Sequence, residues 1–167
     1  MGTQESKRKA TRWQWLIAAP LILLLLPVVL GMLVLFVIST ASLHICIWLL
    51  WCTRGRDILF VYSDSPVWHD YVEQRFLPWL GDRAVVLNWS DRSRWQFPPT
   101  LARVAFHHFG GQREFNPLAV VFRPLRRSRV FRFWQPFRDF KYGRPESLQK
   151  LEIEFFDLIG VTRDDSV

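Results

Sequence analysis

From Trp13 to Cys52 the chain runs forty residues without a Lys, Arg, Asp or Glu. A helix in a soluble core is shorter and amphipathic, so this run predicts an integral membrane protein. A cleaved signal peptide is excluded on length, because its apolar region spans only about 7–15 residues. Residues 57–167, beyond the run and its flank, number 111. That is enough for one small α/β domain with a modest core, and it excludes a multidomain enzyme. The net charge of +7 is unevenly placed: residues 1–56 carry six basic side chains against one acidic, the remainder sixteen against fourteen. The basic balance therefore belongs mainly to the membrane flanks and not to a uniformly cationic domain.

Residues 1–12 form a polar tail with Lys7, Arg8, Lys9 and Arg12, expected on the cytoplasmic side by the positive-inside rule. The opening Met1–Ser6 also fits a myristoylation pattern, redundant beside a spanning helix. In one straight helix Trp15 and Trp48 would lie roughly 50 Å apart, against a hydrocarbon layer of about 30 Å. The pairs Trp13/Trp15 and Trp48/Trp51 then cannot occupy the two aromatic belts of a single crossing. A hairpin over residues 13–52 reconciles them, with one helix to about Leu30, a turn at Gly31-Met32 and a second helix from about Leu33. It places both tryptophan pairs and both basic flanks, including Arg54 and Arg56, at the cytoplasmic face of the plasma (inner) membrane. One long helix kinked at Pro20 and Pro27 is the alternative. Besides the thiols of Cys46 and Cys52, His44 is the only ionisable side chain in the run. It is expected to bond a backbone carbonyl or Ser39, Thr40 or Ser42. With two cysteines, neither in the later domain, no disulfide framework or metal site is expected.

Residues 57–163 read as alternating short apolar runs and helical periodicities. Asp57–Ser63 is a buried strand, followed by a helix start with Ser65 as cap and Pro66 in the first turn. Val67–Leu80 has helical spacing and closes at Gly81-Asp82. Ala84–Trp89 is a second strand. Thr100–Phe109 is a helix capped by Thr100 and stopped by Gly110-Gly111. Leu118–Phe122 is a third strand, entered through Asn116-Pro117. A turn at Pro124–Ser128 leads to a fourth strand, Arg129–Trp134, antiparallel to the third. Pro145–Ile159 is the last helix, and residues 164–167 are a tail. The predicted order is β-α-β-α-β-β-α, a mixed sheet flanked by helices on both faces.

That order resembles the thioredoxin-like fold over nearly all of residues 57–163. Ser63-Asp64-Ser65-Pro66-Val67 stands where that family has Trp-Cys-Gly-Pro-Cys, and Asn116-Pro117 where it has a cis-proline before the third strand. Asp64 and Val67 replace the two cysteines, so the resemblance implies a fold without thiol-disulfide activity, which needs a thiolate. Phe60–Trp68, with Val72-Glu73 and Phe76–Leu80, also resembles the first strand and helix of Toll/interleukin-receptor domains. That resemblance implies NAD cleavage by a glutamate on a later helix, for which Glu114 is the nearest acidic residue.

Direct chemical motifs are few. His107 and His108, adjacent on a helix, point about 100° apart and do not share a metal, and His69 stands alone. Ser63, Asp64, Ser65, His69 and Asp70 include hydrolase residue types, but Ser-Asp-Ser-Pro is also a helix cap. Neither phosphate-binding glycine loop is present, and no cofactor is expected. Asn88-Trp89-Ser90 matches a glycosylation sequon that matters only in a secretory lumen.

The strongest surface signal is a predicted hairpin from Arg123 to Arg144. Arg123, Arg126, Arg127, Arg129, Arg132, Arg138, Lys141 and Arg144 face only Asp139, interleaved with Phe131, Phe133, Trp134, Phe137, Phe140 and Tyr142. Guanidinium forks suit phosphate, and aromatic rings suit the lipid interface or base stacking. Tethering to a bilayer favours anionic headgroups, or an acidic protein partner, over nucleic acid. The sequence thus predicts a non-catalytic, membrane-anchored binding or scaffolding module with its domain in the cytoplasm. Its candidate surface is Arg123, Arg126, Arg127, Arg129, Arg132, Trp134, Arg138 and Lys141, and its candidate loop Asp64, Ser65, Pro66, Asn116 and Pro117. The competing class is an enzyme using the first strand-to-helix loop.

Overall fold

The computed structural model describes residues 3–95, 99–111, 115–124 and 126–161, with side chains from Leu23 onward. It begins with one helix, α1 (Thr3–Leu50), which runs through Gly31 and Met32 without interruption. The expected hairpin is therefore corrected to a single helix. A turn at Gly31-Met32 would leave carbonyls and amides unbonded with no polar side chain to take them, whereas the continuous helix bonds them internally. The described helical stretch Leu23–Arg54, whose most apolar window has a mean hydropathy of 2.7, is long and apolar enough to cross a membrane.

The chain divides into two compact units, residues 1–42 and 43–167. In the first unit, apolar side chains from Leu23 to Ile38 are exposed. The hydroxyls of Ser39 and Thr40 both donate to the Phe36 carbonyl, at 2.9 and 2.8 Å.

The second unit takes over the last two turns of α1. Leu43, Ile47 and Trp51 recur every fourth residue and are all buried, Ile47 to 1 % exposure. They pack with Leu59, Val61, Leu118, Val120 and Phe122 and with the helix α4 (Leu101–Gly110). The last two turns of the forty-residue apolar run thus belong to the core of the second unit. Trp51 lies edge-on to Phe122 at 6.0 Å and belongs to the domain core, not to an aromatic belt.

Four strands, β1 (Ile58–Tyr62), β2 (Ala84–Asn88), β3 (Leu118–Val121) and β4 (Arg129–Arg132), form one sheet in the order β2-β1-β3-β4. β1 pairs parallel with β2 and antiparallel with β3, and β3 pairs antiparallel with β4. The expected mixed sheet is present. Its side chains alternate between two cores. Ile58, Phe60, Tyr62, Ala119, Val121 and Phe131 face α2 (His69–Arg75), α3 (Leu77–Leu80), α5 (Trp134–Lys141) and α6 (Glu146–Ile159). Leu59, Val61, Leu118 and Val120 face α4 and the end of α1.

Three expected elements differ. The helix Val67–Leu80 begins at His69, because the Trp68 and His69 amides bond the Ser65 carbonyl and Pro66–Trp68 form a turn. It breaks at Phe76, where Pro78 has no N–H to continue the ladder. The fourth strand stops at Arg132, and Trp134–Lys141 is a helix with Pro136 in its first turn. The basic hairpin therefore ends at Arg132, and Arg138 and Lys141 are helical.

Arg83 clamps the sheet edge. Its guanidinium donates to both oxygens of Asp57, at 2.7 and 3.1 Å, and to the Ile159 carbonyl at 2.8 Å. Hydrogen bonding to Asp57 holds that guanidinium above its ordinary pKa.

On the α6 side, Glu152 is a buried carboxylate. Burial first, then the hydrogen bond and charge of Glu152, push the Tyr71 phenol from 10.0 up to about 12. The folded state therefore holds this proton more tightly than the unfolded state. Stability is unaffected below about pH 10 and is lost as pH rises from there toward about 12. Phenolate absorbance of the folded chain should contain a tyrosine that titrates near pH 12, brought back toward its ordinary range by Glu152→Gln. An identical titration curve for that variant would refute the coupling.

Candidate functional site

The loop from β3 to β4 returns to the end of α1. The Phe122 amide donates to the Asp57 carbonyl at 2.8 Å, and the Arg126 amide closes a turn on the Arg123 carbonyl at 3.2 Å. Arg123 reaches across to the Leu158 carbonyl of α6 with its guanidinium. His44 lies 3.3 Å from the Ser128 hydroxyl and edge-on to Phe109 at 5.5 Å. One of its partners is thus on the β3–β4 loop.

Between this loop and the helix end is a cleft of about 340 Å³, lined by His44, Ile45, Ile47, Trp48, Phe122, Arg123, Arg126 and Arg127. A second hollow of about 300 Å³ is lined by Trp48, Leu49, Cys52, Thr53 and Pro124. Trp48 stands between the two. Ile45 and Leu49 are exposed, so helix residues on both sides of Trp48 present bare apolar surface. Arg126 and Arg127 are exposed, and neither forms an ion pair with a described carboxylate.

The remaining predicted arginines do not join them. β4 alternation sends Arg129 and Arg132 to opposite faces. Arg129 pairs with Glu154 of α6 and lies over the Phe131 ring, while Arg132 donates to the Phe109 carbonyl at 3.3 Å. Arg138 lies 5.0 Å over Trp134, which stacks on Phe115 at 4.6 Å. Arg144 is 3.6 Å from Asp139, and Lys141 sits exposed in the last turn of α5. One predicted surface is really several places, because strand alternation and the unforeseen helix separate its residues. Sequence reasoning missed the helix-end contribution of Ile45 and Trp48, since nothing in an all-apolar run distinguishes a lipid-facing residue from a cleft-lining one.

The second candidate region lies where β1 gives way to Ser63–Pro66. The register Val61↔Leu118 brings Asn116 and Pro117 to the same end of the sheet, and the Asn116-Pro117 peptide is cis. Its polar groups largely bond one another. Asp64 accepts from the Asn88 amide at 2.7 Å, and its own amide donates to the Ser90 hydroxyl at 2.9 Å. Ser65 accepts from the Val67 amide at 3.4 Å, and Trp68 donates from its indole to Ser63 at 3.3 Å. His69 stacks on Tyr62 at 5.9 Å, with its ring nitrogens 3.6 Å from Asp64 and 3.5 Å from Glu73. Burial, then the Glu73 charge, raise the Tyr62 phenol. This is a turn network ahead of the helix; the expected Ser65 cap is corrected, because the N-cap of α2 is Trp68 and makes no side-chain cap bond, and Ser63 bonds Trp68 and not His69. Burial, with His44 close by, lowers the His108 imidazole. Among the described residues no group of three or more His, Cys, Asp or Glu is placed to hold a metal ion. Glu114 lies outside the described residues.

Comparison with protein families, curated proteins and solved structures finds no match to the chain.

Proposed function

We propose that the protein is a membrane-anchored, non-catalytic binding module whose working surface is the end of α1 and the β3–β4 loop. One observation carries this reading: Arg126 and Arg127, without carboxylate partners among the described residues, share a cleft with exposed apolar residues of the helix end. Exposed cations next to bare apolar surface suit a headgroup boundary, where each side finds its own medium. The partners are the bilayer and its anionic headgroups, with an acidic protein as the other candidate.

The domain belongs in this reading to a thioredoxin-like arrangement. Element order, the mixed sheet and Pro117 ahead of β3 support it. α5, inserted between β4 and α6, departs from the pattern. Asp64 and Val67 stand in the two cysteine positions, so the site lacks the thiolate that redox exchange requires.

Helix continuity also bears on topology. A cytoplasmic domain beside a cytoplasmic tail needs two crossings. One continuous helix that crosses once puts its flanks on opposite faces, and four basic residues in the tail against Arg54 and Arg56 favour a cytoplasmic tail. In sealed, oriented vesicles, tags at the two ends should show opposite protease accessibility, and the chain should stay with the membrane through an alkaline carbonate wash. Release by the wash would end the anchoring reading, and two ends on one side would restore a double crossing.

A further inference from the structure

We infer that the cleft between the end of α1 and the β3–β4 loop binds one anionic phospholipid, its phosphate on Arg126 and Arg127 and an acyl chain against Ile45 and Trp48. The inference rests on the anchoring reading and adds to it a defined site with a defined occupant.

Charge complementarity selects the occupant. Of the three arginines lining the cleft, Arg123 is committed to the Leu158 carbonyl, and no described carboxylate pairs with the other two. Two unpaired guanidinium groups one residue apart present forked donors to a phosphate with negative charge to spare. A zwitterionic headgroup offers the same phosphate with its charge already matched by its own ammonium, so it binds more weakly. The rest of the lining is apolar: Ile45, Ile47, Trp48 and Phe122. A free phosphate ion or an acidic peptide would leave that wall wet, whereas a lipid covers it. The wall is continuous in sequence with the charge-free part of α1. His44, bonded to Ser128, ties the loop that carries the arginines to the helix that carries the wall. Trp48 is placed as interfacial tryptophans are, with an apolar body and a polar N–H.

The test uses the full chain, released from membranes in mild detergent and supplied with equal phosphatidylglycerol and phosphatidylcholine, with bound lipid counted by native mass spectrometry. The intact chain should retain phosphatidylglycerol preferentially. Arg126→Gln with Arg127→Gln should reduce that preference by about 30-fold, from two headgroup contacts at the usual strength of a basic residue near a membrane surface. Arg138→Gln with Lys141→Gln, basic residues elsewhere on the domain, should leave it unchanged. Arg126→Lys with Arg127→Lys should keep most of it, which controls for folding. Equal retention of both lipids by the intact chain, or an undiminished preference in the glutamine pair, overturns the site. Displacement of the lipid by millimolar inorganic phosphate also overturns it, since it assigns the arginines to a soluble anion. A chain that stays with carbonate-washed membranes but shows no lipid preference refutes this site alone; a chain that washes off refutes the anchoring reading as well.

Discussion

A fragment beginning at Asp57 should fail to fold, whereas one beginning at Leu43 should fold. Leu43 and Ile47 of α1 and Trp51 just after it are buried in the second unit, and they cover the sheet face made by Leu59, Val61, Leu118 and Val120. Burying one such side chain contributes about 1.5–3 kcal/mol. Three together amount to roughly 5–9 kcal/mol, comparable with the entire net stability of a small domain, about 5–15 kcal/mol. Ile47→Ala in the full chain isolates the effect, since alanine keeps the helix and its apolarity. Its expected cost is about 2–5 kcal/mol. Limited proteolysis in membranes should then cut the domain of Ile47→Ala at protease levels that spare the parent chain. Equal resistance of the 57–167 and 43–167 fragments would show that α1 is only a tether.

That dual role explains which parts of the molecule were legible in the sequence. Apart from α5, strand and helix identities after Asp57 follow from local patterns: apolar runs of five residues in β1 and four in β2, the Thr100 cap accepting from the Arg103 amide, and four-residue recurrence along α6. Asn116-Pro117 was placed correctly ahead of β3. Where the apolar run joins the core of the second unit was not legible. Every position from Leu33 to Ile38 is apolar, so the period that marks Leu43, Ile47 and Trp51 as core has no polar residues to stand out against. The polar trio Ser39, Thr40 and Ser42 is the marker available just ahead of that boundary. The dispersal of the candidate surface was not legible for a different reason. A sequence count of arginines carries no information about which face of β4 each occupies, nor that Phe133 closes the strand through its amide bond to Pro117 at 2.9 Å. Only Arg123, Arg126 and Arg127, on one turn, were certain to stay together.

Phe76→Ala should be the most damaging single substitution on the other face of the sheet, at about 3–5 kcal/mol. Phe76 is fully buried and sits where α2 breaks and α3 begins. Its ring lies 5.1 Å from Phe133, 5.4 Å from Phe60, 5.5 Å from Phe156 and 6.1 Å from Phe155. It therefore ties β1, the end of β4 and α6 to the break between the two helices, and the four rings around it cannot all move in to fill the space it leaves. Phe140→Ala is the matched control, with a ring 40 % exposed that meets Tyr71 at 5.6 Å. It should cost about 1 kcal/mol, the aromatic pair contribution alone. Urea midpoints of the two variants decide the matter, and a Phe76→Ala midpoint no lower than that of Phe140→Ala would deny the ring its central place. The consequence reaches the cleft, because α6 supplies the Leu158 carbonyl that holds Arg123. Loosening α6 from the Phe76 side should therefore loosen the Arg123 anchor of the β3–β4 loop and with it the proposed placement of Arg126 and Arg127, coupling the aromatic core on one face of the sheet to the cleft on the other.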